Sequence, residues 1–250
     1  MKPIPDFKKI ISESVYGPVH SRRHGLSLGI NLGPSDKVCS WSCLYCQYGF
    51  GRQLRPDEIL PVIAATDVYQ QIISVIANYP DLDSLTFAGN SEPGLYPELL
   101  TLVRMLKRYQ VSARARWKIT ILSNGSELHR DDVLQAFNLA DEAWLKLDCG
   151  QEATFHRLNR PMANRRGLES HLERLKLVKK LNVQTMLWGD DSKDLQGLLD
   201  CYVALKPKKI HLYTLDRDPA FSQLAPVSSD VLYRFATNVR NNELNCEVFL

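Results

Sequence analysis

The sequence predicts an α/β fold, specifically a partial TIM-type (βα)6 barrel with parallel strands. Short apolar runs alternate with longer amphipathic stretches about six times along the 250 residues. No Pro/Ser-rich linker or low-complexity segment interrupts that alternation, and parallel neighbours need a crossover of the kind a helix supplies. A composition of 44% hydrophobic and 24% charged residues is that of a chain able to bury one sizeable core. A doubly wound open sheet is the alternative arrangement of the same units.

The first strand is expected at Leu26 to Leu32, where Leu26, Leu28, Ile30 and Leu32 alternate with Ser27, Gly29 and Asn31. That period of two marks a strand with one apolar face. Further strands are expected at Leu85 to Ala88, Ile119 to Ser123, Ala143 to Leu147, Val183 to Trp188 and Ile210 to Tyr213, each short and apolar. Helices are expected at Asp67 to Asn78, at Pro97 to Tyr109 with proline at an initial position, and at Arg130 to Phe137. Three more follow at Leu168 to Leu181, Asp191 to Leu205 and Ser229 to Val239, before an apolar run at Cys246 to Leu250 that reads as a seventh strand. The organisation is one domain over 1–250: an extension at 1–25, a barrel core at 26–219, and a terminal helix and strand at 220–250.

Lysines and arginines number 31 against 28 acids, a net charge of +3, so a basic partner surface has to be local. The longest apolar runs fall far short of a membrane span. Prolines and charges fill Met1 to Lys9, where a signal peptide would carry its apolar segment, so the expected location is the cytoplasm. In that reducing compartment three of the six cysteines, gathered within eight residues, read as a metal site and not as disulfides.

Those three are Cys39, Cys43 and Cys46, directly after the first strand. Thiolates at such spacing on one loop can each hold one metal of a cubane cluster, which normally takes four. With no fourth cysteine nearby, one iron keeps open positions for a small ligand. The alternative is a zinc site completed by His24 or His20. The spacing, with the aromatic Tyr45 before the last cysteine, resembles the cluster loop of the radical S-adenosylmethionine (SAM) superfamily. The resemblance continues at Gly89-Asn90-Ser91-Glu92-Pro93, a small-residue turn at the end of the second strand. In that superfamily the corresponding turn contacts the SAM amino group. Open backbone at Gly89 permits close approach, and Glu92 with nearby carbonyls can accept from an ammonium.

Polar residues gather after the other strands as well, at Ser123-Asn124-Gly125, Asp148, Gly189-Asp190-Asp191 and Thr214-Leu215-Asp216-Arg217. That is the active-site end of a barrel. Asn124 and Asp148 resemble superfamily contacts to the ribose hydroxyls or the methionine moiety; local turn chemistry is the alternative. A narrower similarity, to the group related to wyosine-base tRNA synthases, is carried by Tyr16 to Ile30, by Gly89 to Pro93, by Leu158-Asn159-Arg160-Pro161 and by Thr214 to Arg217. It departs at Ser91, where relatives usually have glycine, and at Asp218, where they tend to have proline.

Arg22, Arg23, Arg160 and Arg217 lie in these segments and are the candidate substrate-binding residues, since guanidinium groups recognise carboxylate and phosphate bidentately. Ion pairing with acids such as Asp216 is the competing role. A basic stretch carries Arg104, Lys107, Arg108, Arg114, Arg116 and Lys118 without an acid, and Arg157, Arg160, Arg165 and Arg166 add to it. It suits either an RNA backbone or a solvated helix face. Cys149, beside Asp148, is the one other cysteine expected near the barrel mouth.

The resemblance implies a 4Fe-4S cluster on Cys39, Cys43 and Cys46, SAM held at Tyr45, Gly89, Asn90, Ser91, Glu92, Asn124 and Asp148, and reductive SAM cleavage to a 5'-deoxyadenosyl radical that abstracts hydrogen from substrate. A tRNA base, a small metabolite or a protein glycine fits that chemistry. With no flavodoxin-like extension, the electron donor is expected to be a separate flavodoxin or ferredoxin. A non-catalytic zinc- or Fe-S-binding RNA adaptor is the reading from another class.

Overall fold

The computed structural model describes residues 12, 14–34, 36–51, 62–162, 167–219 and 221–250. Within them one eight-stranded sheet runs in chain order: β1 (Val15–Ser21), β2 (Gly25–Ile30), β3 (Ser84–Phe87), β4 (Lys118–Ser123), β5 (Glu142–Lys146), β6 (Leu181–Met186), β7 (Lys209–Tyr213) and β8 (Cys246–Phe249). From β2 to β8 every pairing is parallel, and each crossover contains at least one helix, the first of them carrying the cysteine loop as well. The expected strands and the seventh strand are all present. The all-parallel expectation is corrected at the edge, where β1 pairs antiparallel with β2 through a register shift between Tyr16 and Val19. Gly17 and Pro18 break the alternation that would have announced β1, and an edge strand is where a proline is tolerated.

The helices are α1 (Ala65–Ile76), α2 (Leu99–Ser112), α3 (Asp131–Leu139), α4 (Glu152–Leu158), α5 (Leu168–Leu175), α6 (Ser192–Leu205) and α7 (Ser229–Asn241). α5 stops six residues before the expected end, although Val178 still packs on the core from the turn that follows. Helix α4, seven residues long, is too short to show a period of its own.

Register divides the sheet into two chemically different faces. Ile30, Phe87, Ile121 and Ala143 lie in one row, and Leu145, Val183, Ile210 and Cys246 in another. These rows belong to the main buried core with the helices' apolar stripes. The opposite face is polar: Ser27, Ser84, Thr86 and Thr120 join through hydroxyl contacts of 2.6–2.9 Å across β2, β3 and β4. Further round, Trp144, Lys146, Gln184, His211 and Tyr213 share that face.

The sheet curls around this face. The β1–β2 turn at one edge touches strands near the other: His24 lies 6.0 Å from His211 between ring centroids, and Arg23 donates to Gln184 at 3.0 Å. Arg22 reaches Asp216 at 2.9 Å and also donates to the Leu250 carbonyl oxygen. The hairpin tip therefore crosses the lumen of a half-barrel and bridges its open side. Trp144 stacks on His211 at 3.6 Å beneath it.

Candidate active site

The carboxyl ends of β2 to β7 open into a cavity of about 360 Å³. Cys39, Cys43, Cys46 and Tyr45 line it, as do Gly89, Asn90, Ser91, Glu92 and Asn124, so residues more than eighty positions apart meet at one cavity. Arg22, Arg23 and Arg217 line it too. Arg160 does not belong to that lining; its guanidinium lies 5.5 Å from the Phe50 ring on the outside of the cysteine loop. Arg165 and Arg166 lie outside the described residues.

The cysteine loop has no helix or strand of its own, and its shape is held by backbone pairing with the segment after α4. Leu44 N–H donates to Leu158 O at 2.9 Å, Ser42 N–H to Arg160 O at 3.1 Å, and Met162 N–H to Ser40 O at 3.2 Å. This ladder gives the Leu158 to Pro161 segment its first role, as a strap along the loop. Arg160 takes a left-handed backbone, φ 48°, where the strap turns away.

Asn159, fully buried, gives the strap its second role. Its carboxamide donates to Asp148 Oδ2 at 2.8 Å, to the Tyr45 hydroxyl at 3.2 Å and to Cys43 Sγ at 3.7 Å, while its oxygen accepts from Cys149 Sγ at 3.7 Å. Asn124, just after β4, mirrors it, donating to Cys39 Sγ at 3.5 Å and to Ser40 Oγ at 3.0 Å. Two asparagine amides thus face two of the three thiols. Residue reading found Asn124 but gave Asn159 no role, because the spacing that matters is across space and not along the chain.

Asp148 is placed differently from the expectation of a ligand contact. Its carboxylate is wholly buried and accepts from Tyr45, Asn159 and the Met186 N–H, with Lys146 Nζ at 3.5 Å. It anchors the cysteine loop to β5 and β6. Glu92 is likewise turned inward: Gly94 N–H donates to it at 3.0 Å, Asn124 N–H at 2.9 Å, and the Ser123 hydroxyl closes the set. Burial outweighs those three donors and pushes the Glu92 carboxyl up to about 7. What the turn at 89–93 presents to a ligand is therefore mainly its backbone. Gly89 is required there, because a Cβ would collide with the Asn31 carboxamide, whose Oδ1 is buried without a donor.

The residues fit an iron–sulfur cluster. The three thiols are free, face one cavity, and sit beside amide donors of the kind that tune cluster sulfurs. Burial pushes the Cys39 and Cys43 thiols up, Cys43 to about 11, so thiolates form there only with a compensating positive charge. Among the described residues no three His, Cys, Asp or Glu side chains converge on one ion-sized point. Neither His20 nor His24 lines the cysteine cavity; His24 packs edge-on to Trp144 at 5.6 Å.

Comparison with known proteins agrees with this architecture. The sequence pattern of the Radical SAM superfamily matches residues 37–190, more than half of the chain. A UPF0026 protein of Helicobacter pylori strain J99 is 31% identical over 214 residues, covering 83% of this chain and 68% of the relative. A UPF0026 protein of Methanocaldococcus jannaschii is 29% identical over 229 residues, covering 87% and 68%. Among solved structures, a radical SAM methyltransferase from Sphaerobacter thermophilus superposes with a TM-score of 0.64 at 14% identity, over 94% of this chain and 68% of that one. SuiB of Streptococcus suis bound to S-adenosylmethionine gives 0.63 at 14%, over 89% of this chain, which spans only 50% of SuiB. Archaeal TYW1 gives 0.54 at 14%, over 86% and 72%. At such identity these structures speak for the fold, a curled half-barrel of mostly parallel strands. Fold, cysteine loop and matched pattern together make this chain a radical SAM enzyme, a member of the radical SAM superfamily.

Proposed function

We propose that Cys39, Cys43 and Cys46 hold a 4Fe-4S cluster and that SAM binds between that loop and the turn at Gly89 to Glu92. The observation carrying this reading is one cavity lined by all three thiols and the whole turn. When bound, the cluster and SAM supply reductive cleavage of the sulfonium, giving methionine and a 5'-deoxyadenosyl radical that takes hydrogen from substrate.

The chain's own residues position and exclude. Asn124, Asn159 and Asp148 fix the cysteine loop against β4, β5 and β6, as the hydrogen bonds above describe. Glu92 ties the turn to the end of β4. Tyr16 reaches the mouth by laying its ring across Gly29 and donating to Ala88 O at 3.1 Å; a Cβ at position 29 would occupy the ring's place. No acid or base is needed for hydrogen abstraction, and an enclosed lumen keeps the radical on one C–H bond. One electron per cleavage comes from a separate donor of flavodoxin or ferredoxin type.

The motif resemblance to the wyosine-related group supports a tRNA base as one candidate substrate, beside a small metabolite and a protein glycine. The test of the reaction class is anaerobic reconstitution with iron and sulfide, reduction with dithionite, and chromatography for 5'-deoxyadenosine, with Cys43→Ala as control. Its appearance only with intact cysteines is expected. Zinc uptake with SAM left intact would defeat the reading.

A further inference from the structure

The lumen holds a cation, Arg23, that no carboxylate among the described residues neutralises. Arg23 stands on the hairpin tip, where Ser21 Oγ accepts from the Arg23 and His24 N–H groups at 3.3 and 3.1 Å and fixes the turn. Its guanidinium lies 4.3 Å from the centre of the Tyr213 ring and donates to the neutral Gln184. Among the described residues no carboxylate pairs with it, whereas Arg22 beside it is paired with Asp216. Lys146 approaches the same Tyr213 ring at 4.8 Å and donates to its hydroxyl. Its acid, Asp148, is shared with three other donors.

Arg22, Arg23, Lys146, Gln184, Tyr213 and Asp216 all line the cysteine cavity. Removing a guanidinium from bulk water without a counter-charge is costly, and a planar fork of N–H donors is suited to the paired oxygens of a carboxylate or phosphate.

We propose that Arg23, with Lys146 and the Tyr213 hydroxyl, forms an oxyanion subsite in the lumen that receives a carboxylate or phosphate of a small-molecule substrate. Calling the occupant a substrate rests on the radical SAM reading above; the anion site itself does not. An RNA backbone is a poorer occupant. The basic run from Arg104 ends at Lys118, the first residue of β4, so that end of it lies at the amino ends of the strands, away from the mouth. Within it Lys107 is paired with Asp141 at 2.5 Å and Lys118 with Glu142 at 2.6 Å.

The test is ligand-observed NMR on the full chain, with and without reconstituted cluster and SAM, titrated with inorganic phosphate, glutarate and the neutral glutaramide. One of the two oxyanions should bind and glutaramide should not; phosphate preference marks a phosphorylated substrate, glutarate preference a carboxylate. Arg23→Gln should weaken that binding at least tenfold. Arg23→Lys, which keeps the charge and loses the fork, should weaken it less than Arg23→Gln and at least threefold, and it decides the matter if Arg23→Gln does not fold. Failure of both oxyanions to bind, or unchanged binding by folded Arg23→Gln, overturns the proposal. So does binding of tRNA alone, indifferent to Arg23→Gln. Oxyanion binding by a chain that yields no 5'-deoxyadenosine would keep the subsite and remove the radical reading, so the two failures are separable.

Discussion

Replacing Asn159 with alanine tests the anchoring of the cysteine loop. The side chain is fully buried, and its strongest bond, 2.8 Å to Asp148 Oδ2, goes to a carboxylate with no exposure of its own. A hydrogen bond to a charged group contributes about 1.5–3 kcal/mol. The void left by the carboxamide adds about 1 kcal/mol. The sum, about 3 kcal/mol, should lower the unfolding midpoint of a chain this long by about 6–12 °C. Urea and thermal unfolding of the metal-free protein measure it. Asn159→Asp should cost more than alanine, because it sets a second carboxylate against Asp148. In the reconstituted protein Asn159→Ala should also lower the cluster's midpoint potential, since it removes an amide donor from the Cys43 sulfur. A stability loss under about 0.5 kcal/mol, the range of surface substitutions, with an unchanged potential, would refute the anchoring argument.

Three further outcomes are expected. Gly29→Ala should cost about 1–3 kcal/mol by displacing the Tyr16 ring, and a double-mutant cycle should show the cost largely gone in a Tyr16→Ala background. Thr86→Val should cost about 1–3 kcal/mol, read by urea unfolding, because it takes from the buried Ser27 hydroxyl its Thr86 partner at 2.6 Å. His171 is buried between Trp41 and Phe155, and its Nε2–H donates to Lys146 O at 2.7 Å, with burial holding its pKa down at about 4. The unfolded chain then binds the proton more readily, so this contribution is whole above about pH 6.5 and is lost as pH falls towards 4, at most about 3 kcal/mol. Unfolding free energies between pH 4 and 7 should show a shallower slope for His171→Gln, and an unchanged slope would overturn the assignment.

Strand positions from β2 to β8 were legible because each carries an apolar row that must face the helices. The polar partner row was equally legible and harder to interpret. Ser84-Leu85-Thr86-Phe87 and Lys118-Ile119-Thr120-Ile121 alternate plainly, yet alternation by itself reads as one wet face, not a lumen. The cysteine loop and the turn at Gly89 to Glu92 could be found from local spacing. The strap could not, since Asn159 meets Cys43 only once α4 has turned the chain back. Glu92 and Asp148 were found for their position after strands, and their hydrogen bonds show them holding loops in place. The β1–β2 tip, with Arg23, lay inside what reads as an extension.

The two faces of the sheet divide the work of the chain. Outward rows such as Phe87, Ile121 and Leu145 are fully buried and belong to the core that stabilises the fold. Inward positions forgo most of that contribution. A TIM barrel normally fills its interior with branched apolar side chains, whereas here Thr86, Thr120 and Gln184 are buried on the inner face. Each such group must be hydrogen-bonded merely to break even, and the hydroxyl ladder achieves that across β2 to β4. On the far side Lys146 and Arg23, both half-buried, go further, because withdrawing a cation from water is costly without an opposing charge. Lys146 shares Asp148 with three other donors, and among the described residues no carboxylate pairs with Arg23. The inner face is therefore balanced for an anion brought from outside, and the hairpin that carries Arg23 across the open side is the element through which such an anion would tighten the half-barrel.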